Sequence, residues 1–153
     1  MSRWSRGEPE IELLVASGAL QQIVKAASDG KPLLKRAEQT LLVARAAIEI
    51  EPDVAYATAY DAARIAATAL LIQQGLRPTS AGGHLAVERA LIAQFGQGFR
   101  EFSTMRRRRN EIEYPLQFQE QGSAAEADQA IQTAQRFLGT AATLIGELGF
   151  FFD

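Results

Sequence analysis

No cysteine occurs among the 153 residues, which excludes disulfides and thiol chemistry and fits the cytoplasmic location expected here. Histidine is almost as scarce. His84 is the only one, so His-rich zinc sites and the Glu-x-x-His pairs of di-iron bundles are ruled out. No apolar run approaches the roughly 20 residues that span a bilayer. The N-terminus has neither the apolar core nor the cleavage site of a secretory signal, so nothing there directs export. Gly-x-Ser-x-Gly and Gly-x-x-x-x-Gly-Lys are both missing, which removes an α/β-hydrolase elbow and a P-loop. Gly82-Gly83-His84 is too short a run to cradle phosphate, and no metal or cofactor is expected. A surplus of one charge is lacking too: the formal net charge is −2, so contact with nucleic acid requires a local basic patch. No segment shows the alternation or β-branched enrichment of a strand.

What is present is helical periodicity. With 47% hydrophobic residues the chain suits a single domain, residues 1–153, with its own core. Met1 to Glu8, including Arg3, Trp4 and Arg6, reads as a loose basic lead-in. Pro9 then opens a short helix with Ile11, Leu14 and Val15 on one side, fading at Ser17-Gly18. After the turn cluster Ser28-Asp29-Gly30, a helix from Pro32 carries Leu33, Ala37, Leu41, Ala44 and Ile48 and stops before Pro52. A third helix runs from Pro52 to Gly75, with Tyr56, Ala59, Tyr60, Ala63, Ala66, Ala67, Leu70 and Leu71 inward. Its many alanines let neighbouring helices approach closely. Arg77 to Gly83 reads as a loop. A fourth helix holds Leu85, Glu88, Leu91, Ile92 and Phe95 and ends at Gly96. Leu116 to Gly122 is a polar, glutamine-rich connection, after which Ser123 and Glu126 form a capping-box signature. The last helix presents Ala127, Ala130, Ala134, Phe137, Ala141, Leu144 and Leu148. The expected architecture is all-α, an antiparallel bundle of five to six helices with short connections.

The fifth helix, about residues 98–114 and closed by Pro115, is the one with chemistry. At 100° per residue Phe99, Phe102, Met105, Ile112 and Leu116 share one stripe, and Arg109 falls in its middle. Arg107 points the opposite way, Arg106 and Arg108 flank the stripe, and Asn110 and Glu113 border it. A guanidinium inside an apolar stripe is partly desolvated, which is costly without a partner. Glu113 one turn on is one candidate; a ligand is the other. Arginines beside an Asn amide and the Tyr114 hydroxyl suit a phosphodiester, because guanidinium forks match phosphate oxygens. The competing reading is a solvated basic face. Tyr56 and Tyr60 are expected to pack in the core with hydroxyls near its rim. Asp61 and Arg64, three apart, read as an intrahelical pair. Phe150-Phe151-Phe152 is expected to pack on the bundle or on a second subunit.

Arg106 to Pro115 (Arg-Arg-Arg-Arg-Asn-Glu-Ile-Glu-Tyr-Pro) resembles the signature helix of HEPN domains. So do the upstream Ala59 to Leu71, Gln74-Gly75-Leu76-Arg77-Pro78 and Gly82-Gly83-His84, and the similarity runs from about Leu33 to Leu148. The resemblance implies a homodimer whose signature helices face each other across a cleft. Many members are metal-independent endoribonucleases, often toxins or RNA-processing and defence proteins. In their motif Arg109 matches the arginine, Asn110 the polar residue, and Tyr114 stands where a histidine is usual. A tyrosine, with a reference pKa of about 10, is a poor base. The expectation is therefore a HEPN-like protein binding RNA or nucleotide phosphate at Arg109, Asn110 and Tyr114, with weak or no ribonuclease activity. Arg106 and Arg108 assist with phosphate, and Asp61, Arg64, Glu113 and His84 support. The alternatives are a non-catalytic interaction module, such as an antitoxin or nucleotidyltransferase partner, and an active ribonuclease using Tyr114 or His84.

Overall fold

The computed structural model of the chain describes residues 4–116 and 121–152. Among them lie helices α1 (Glu8–Ala16), α2 (Lys31–Ala47), α3 (Pro52–Gln73), α4 (Gly83–Phe95), α5 (Arg100–Glu113) and α6 (Ala124–Leu144). Prolines at the first turns of α1, α2 and α3 lack the N–H that would otherwise go unpaired there. Positive-φ glycines follow α3 at Gly75 and α4 at Gly96, conformations that a Cβ disfavours.

The core is organised by α3, which packs against α2, α6, α5 and α4 in turn. Alanines 55, 59, 62, 63, 66, 67 and 69 are all buried on it, so helices close in from several sides and no single apolar stripe is visible. Around it, α2 buries Leu34, Ala37, Leu41 and Ala44, and α6 buries Ala127, Ala130, Ile131, Ala134, Phe137, Leu138 and Ala141. The all-α bundle expected from periodicity is what forms. No helix among the described residues is long and apolar enough to cross a membrane.

Four features depart from expectation. A two-stranded antiparallel ribbon joins β1 (Leu20–Gln22) to β2 (Leu76–Pro78), with Leu20 opposite Pro78 and Gln22 opposite Leu76. Three residues are too few to show alternation, and the paired strands are separated by helices α2 and α3, so no local signal announces the pairing. The buried face of α4 is Ala86, Val87, Ala90 and Leu91 with two polar residues, Glu88 and Gln94, while Leu85 is exposed. Leu116 lies past the end of α5 and is exposed rather than continuing its stripe. The lead-in is held from Trp4 onward: its indole N–H donates to the Gln94 carbonyl at 2.9 Å and its ring lies 5.1 Å from that of Phe95. Met1 to Arg3, and residues 117–120 of the glutamine-rich connection, lie outside the described residues.

The C-terminal aromatics do pack on the bundle. Phe151 is fully buried and its N–H donates to the Gln74 carbonyl at 2.8 Å. Beneath it, the side chains of Gln74 and Gln94 form a reciprocal pair of amide hydrogen bonds, 2.5 and 3.0 Å, with no exposure to solvent. Gln94→Leu strands the Gln74 amide in the core and is expected to cost about 1–3 kcal/mol. Urea melts should show the double variant, Gln74→Leu with Gln94→Leu, to be less damaged than the sum of its parts, since no unpaired amide remains.

Candidate functional site

The four consecutive arginines of α5 go to four different places, as their angular positions require. Arg107 is exposed. On one flank Arg106 reaches α4, where its Nε donates to Glu88 Oε2 at 2.5 Å. On the other flank Arg108 bonds both carboxylate oxygens of Glu126 on α6, through Nε and, at 3.1 Å, through Nη2. A third bond runs from its Nη1 to Glu111 at 3.2 Å. This two-pronged contact clamps α5 to α6. It also means that the capping box at Ser123 is only half built. The Ser123 hydroxyl accepts from the Glu126 N–H at 3.1 Å, but the Glu126 carboxylate serves Arg108.

Arg109 turns inward. Its guanidinium sits over the Tyr60 ring of α3 at 5.9 Å, a cation–π arrangement, and its Nη2 lies 3.0 Å from Glu113 Oε1. Only 21% of the side chain is exposed. Tyr60 is fully buried and is the hub of this region, with the Phe102 ring at 5.3 Å and the His84 ring at 5.5 Å. Burial pushes its phenol up to about 12, so the hydroxyl stays protonated as a donor. One turn along α3, Arg64 has Asp61 Oδ1 4.0 Å from its Nε. That is the expected intrahelical pair, though too long for a hydrogen bond.

Three donors in this cluster are buried without a hydrogen-bond partner among the described residues: Tyr60 OH, Arg64 Nε and Arg109 Nε. Native interiors rarely leave such groups empty, and each one left so calls for an explanation. His84, the second residue of α4, stands at the same hub. Far apart in sequence, His84 and Arg109 both meet Tyr60 from different helices, the imidazole tilted at 46° to the ring and the guanidinium over it. Burial holds the imidazole below its ordinary value, and the Arg64 and Arg109 cations push it further down against the opposing pull of Asp61. His84 is therefore neutral at pH 7, able to accept a hydrogen bond or a proton.

This has a consequence for stability. With its folded value depressed below the reference of about 6.5, His84 binds fewer protons in the folded state than in the unfolded one. Its contribution is complete above that reference and is lost as pH falls towards the folded value. Urea melts on either side of that window should show a shallower pH slope for His84→Gln than for the parent protein.

Asn110 and Tyr114 do not join this cluster. Asn110 is exposed, and Tyr114, the C-cap of α5, is 74% exposed. Steps of one and five residues from Arg109 carry them about 100° and 140° around the helix. A separate groove of about 750 Å³ lies on the other side of α5, lined by Tyr56, Met105, Arg107, Arg108, Thr133 and Arg136 among others. Two of its guanidiniums are already engaged, Arg108 by Glu126 and Arg136 by Glu101 at 2.9 Å, and it holds none of the three unfilled donors. No group of three His, Asp or Glu able to hold a metal ion comes together among the described residues.

Glu88 is a partner that periodicity counting placed on the buried face of α4 without giving it a task. Its acidic character on that face was the available signal. Tyr60 as the hub had none, because a tyrosine on a buried stripe reads as packing.

No curated protein and no solved structure matches the chain. A family model described as the HEPN domain matches residues 31–144, from the start of α2 to the end of α6 and hence the three helices that carry the cluster. The chain belongs to the HEPN domain family.

Proposed function

We propose that the protein binds RNA or nucleotide phosphate where Arg64, Arg106, Arg109 and His84 gather around Tyr60, acting as a homodimer with weak or no ribonuclease activity. The observation that supports this most is the set of three buried, unfilled donors on Tyr60, Arg64 and Arg109. A phosphoryl group offers several acceptor oxygens to such a set, and guanidinium forks suit it. In the paired arrangement expected of the family, Arg109 forms the floor of the cleft, and Asn110 and Tyr114 lie at its mouth. Arg106 and Arg108, each already tied to a carboxylate, contribute mainly to the local field. The proposed setting is cytoplasmic, in a toxin–antitoxin or defence system or beside a separate nucleotidyltransferase.

A second reading, an active metal-independent endoribonuclease, is favoured by the neutral imidazole of His84 at the same hub, which takes over the proton-accepting task that Tyr114 performs poorly. Incubating the purified protein with a labelled oligoribonucleotide in EDTA separates the two. Retention that weakens steeply with salt and leaves the RNA intact supports binding. Cleavage abolished by His84→Gln supports the nuclease. Absence of both at low salt leaves a protein-binding module.

A further inference from the structure

Arg106, Arg108 and Arg109 on α5 each have a carboxylate partner; two of these arginines are held to another helix and one is not. Arg106 meets Glu88 across two helices, and the Glu88 side chain is only 9% exposed. Arg108 holds Glu126 across two helices by two hydrogen bonds. Arg109, by contrast, meets Glu113 within one helix through a single nitrogen, and the Glu113 side chain is 34% exposed. The order of the pair is unfavourable as well, because at four-residue spacing an acid stabilises a helix better when it precedes the base. Glu113 is moreover the last residue of α5, with no basic residue in that turn, and the negative end of the helix dipole repels a carboxylate there.

We infer that Glu113 is a built-in competitor for the phosphate site, occupying the Arg109 guanidinium in the free protein and leaving it when a phosphoryl group arrives. The inference rests on the phosphate-binding reading above and specifies how that site is filled. Arg109 keeps its charge balanced while empty, so the cost of a desolvated, unpaired cation is never incurred. The arriving phosphate need outbid only one exposed, badly placed carboxylate. Displacement also sets a threshold: a ligand carboxylate matches Glu113 and gains little, whereas a phosphoryl group brings more charge and more acceptor oxygens.

The test measures retention of a fluorescein-labelled oligoribonucleotide by the parent protein and by Glu113→Gln, Glu111→Gln, Arg109→Ala and Arg109→Ala with Glu113→Gln. Glu111→Gln makes the same change in net charge two residues away, at a carboxylate bonded to Arg108 instead. Glu113→Gln is expected to tighten retention about fivefold, the factor matching the upper end of an exposed ion pair. Glu111→Gln should change it less than twofold. In the Arg109→Ala background the Glu113→Gln gain should vanish, because the group competed for is gone. Circular dichroism melts monitor folding of each variant. Equal tightening by Glu111→Gln and Glu113→Gln, or a gain that survives Arg109→Ala, overturns the inference while the binding reading stands. Retention by none of the proteins, Glu113→Gln included, removes both.

Discussion

Replacing Arg109 with alanine is expected to weaken retention of an oligoribonucleotide about ten- to a hundredfold at low salt, the largest loss for any single side chain on α5. The magnitude follows from removing charge-assisted hydrogen bonds worth about 1.5–3 kcal/mol. The dependence of log affinity on log salt should also become shallower by about one phosphate contact. Arg109→Lys keeps the charge but loses the fork and the flat face over Tyr60, so it should recover only part of the affinity. Arg107→Ala removes an exposed cation from the same run and should cost little. Stability should fall only slightly with Arg109→Ala, because the Glu113 left behind is a third exposed and can be solvated. Retention unchanged in Arg109→Ala, with the fold intact, would sink the assignment of the site to this guanidinium.

The second large effect is on stability and works through the floor of the same site. Phe102→Ala is expected to cost about 3–5 kcal/mol, the range for a buried phenylalanine emptied to a cavity. Phe102 is 1% exposed, with the Tyr60 ring at 5.3 Å on one side and the Phe137 ring at 6.2 Å on the other. The loss is a large share of the 5–15 kcal/mol by which domains of this kind are stable. Urea unfolding monitored by circular dichroism gives the number directly. Because Tyr60 loses its support, RNA retention should fall together with stability, whereas Phe102→Leu should damage both much less. A loss below about 1 kcal/mol would mean that neighbouring side chains collapse into the space, and that Tyr60 does not depend on Phe102 for its position.

These two residues show where reading the chain succeeds and where it stops. The inward turn of Arg109 and the outward turn of Arg107 follow from a 100° step along one helix, and both are as expected. So are the start of α3 at Pro52 and its glycine stop at Gly75. Each of these is a local property, with all the determining residues within a turn or two of each other. The pairing of β1 with β2 escaped because its two halves are short and far apart in the chain. The buried face of α4 was misplaced for a related reason. Counting apolar residues favours Leu85 and passes over Gln94, which is inside because Gln74, at the end of α3, pairs with it. Glu88, which the count did place on that face, stays there through Arg106. A polar residue earns burial through its partner, and the partner is invisible to periodicity. Asn110 and Tyr114 beside Arg109 in sequence suggested one site, yet helical geometry carries both of them away from the Arg109 face.

By itself, the order of residues determined an all-α bundle, the start of α3 at Pro52, and the angular positions of Arg106 to Arg109 on α5, because those depend on backbone stereochemistry and hydrophobic period. The last helix, read as reaching Leu148, ends at Leu144. Only the tertiary structure decided what each arginine meets. It brought His84 from α4 and Arg109 from α5 to the Tyr60 ring of α3, and it left the Tyr60 hydroxyl, Arg64 Nε and Arg109 Nε unfilled. The physical reason is that side-chain partnerships between helices depend on how the helices dock, and docking is settled by the summed packing of the whole core.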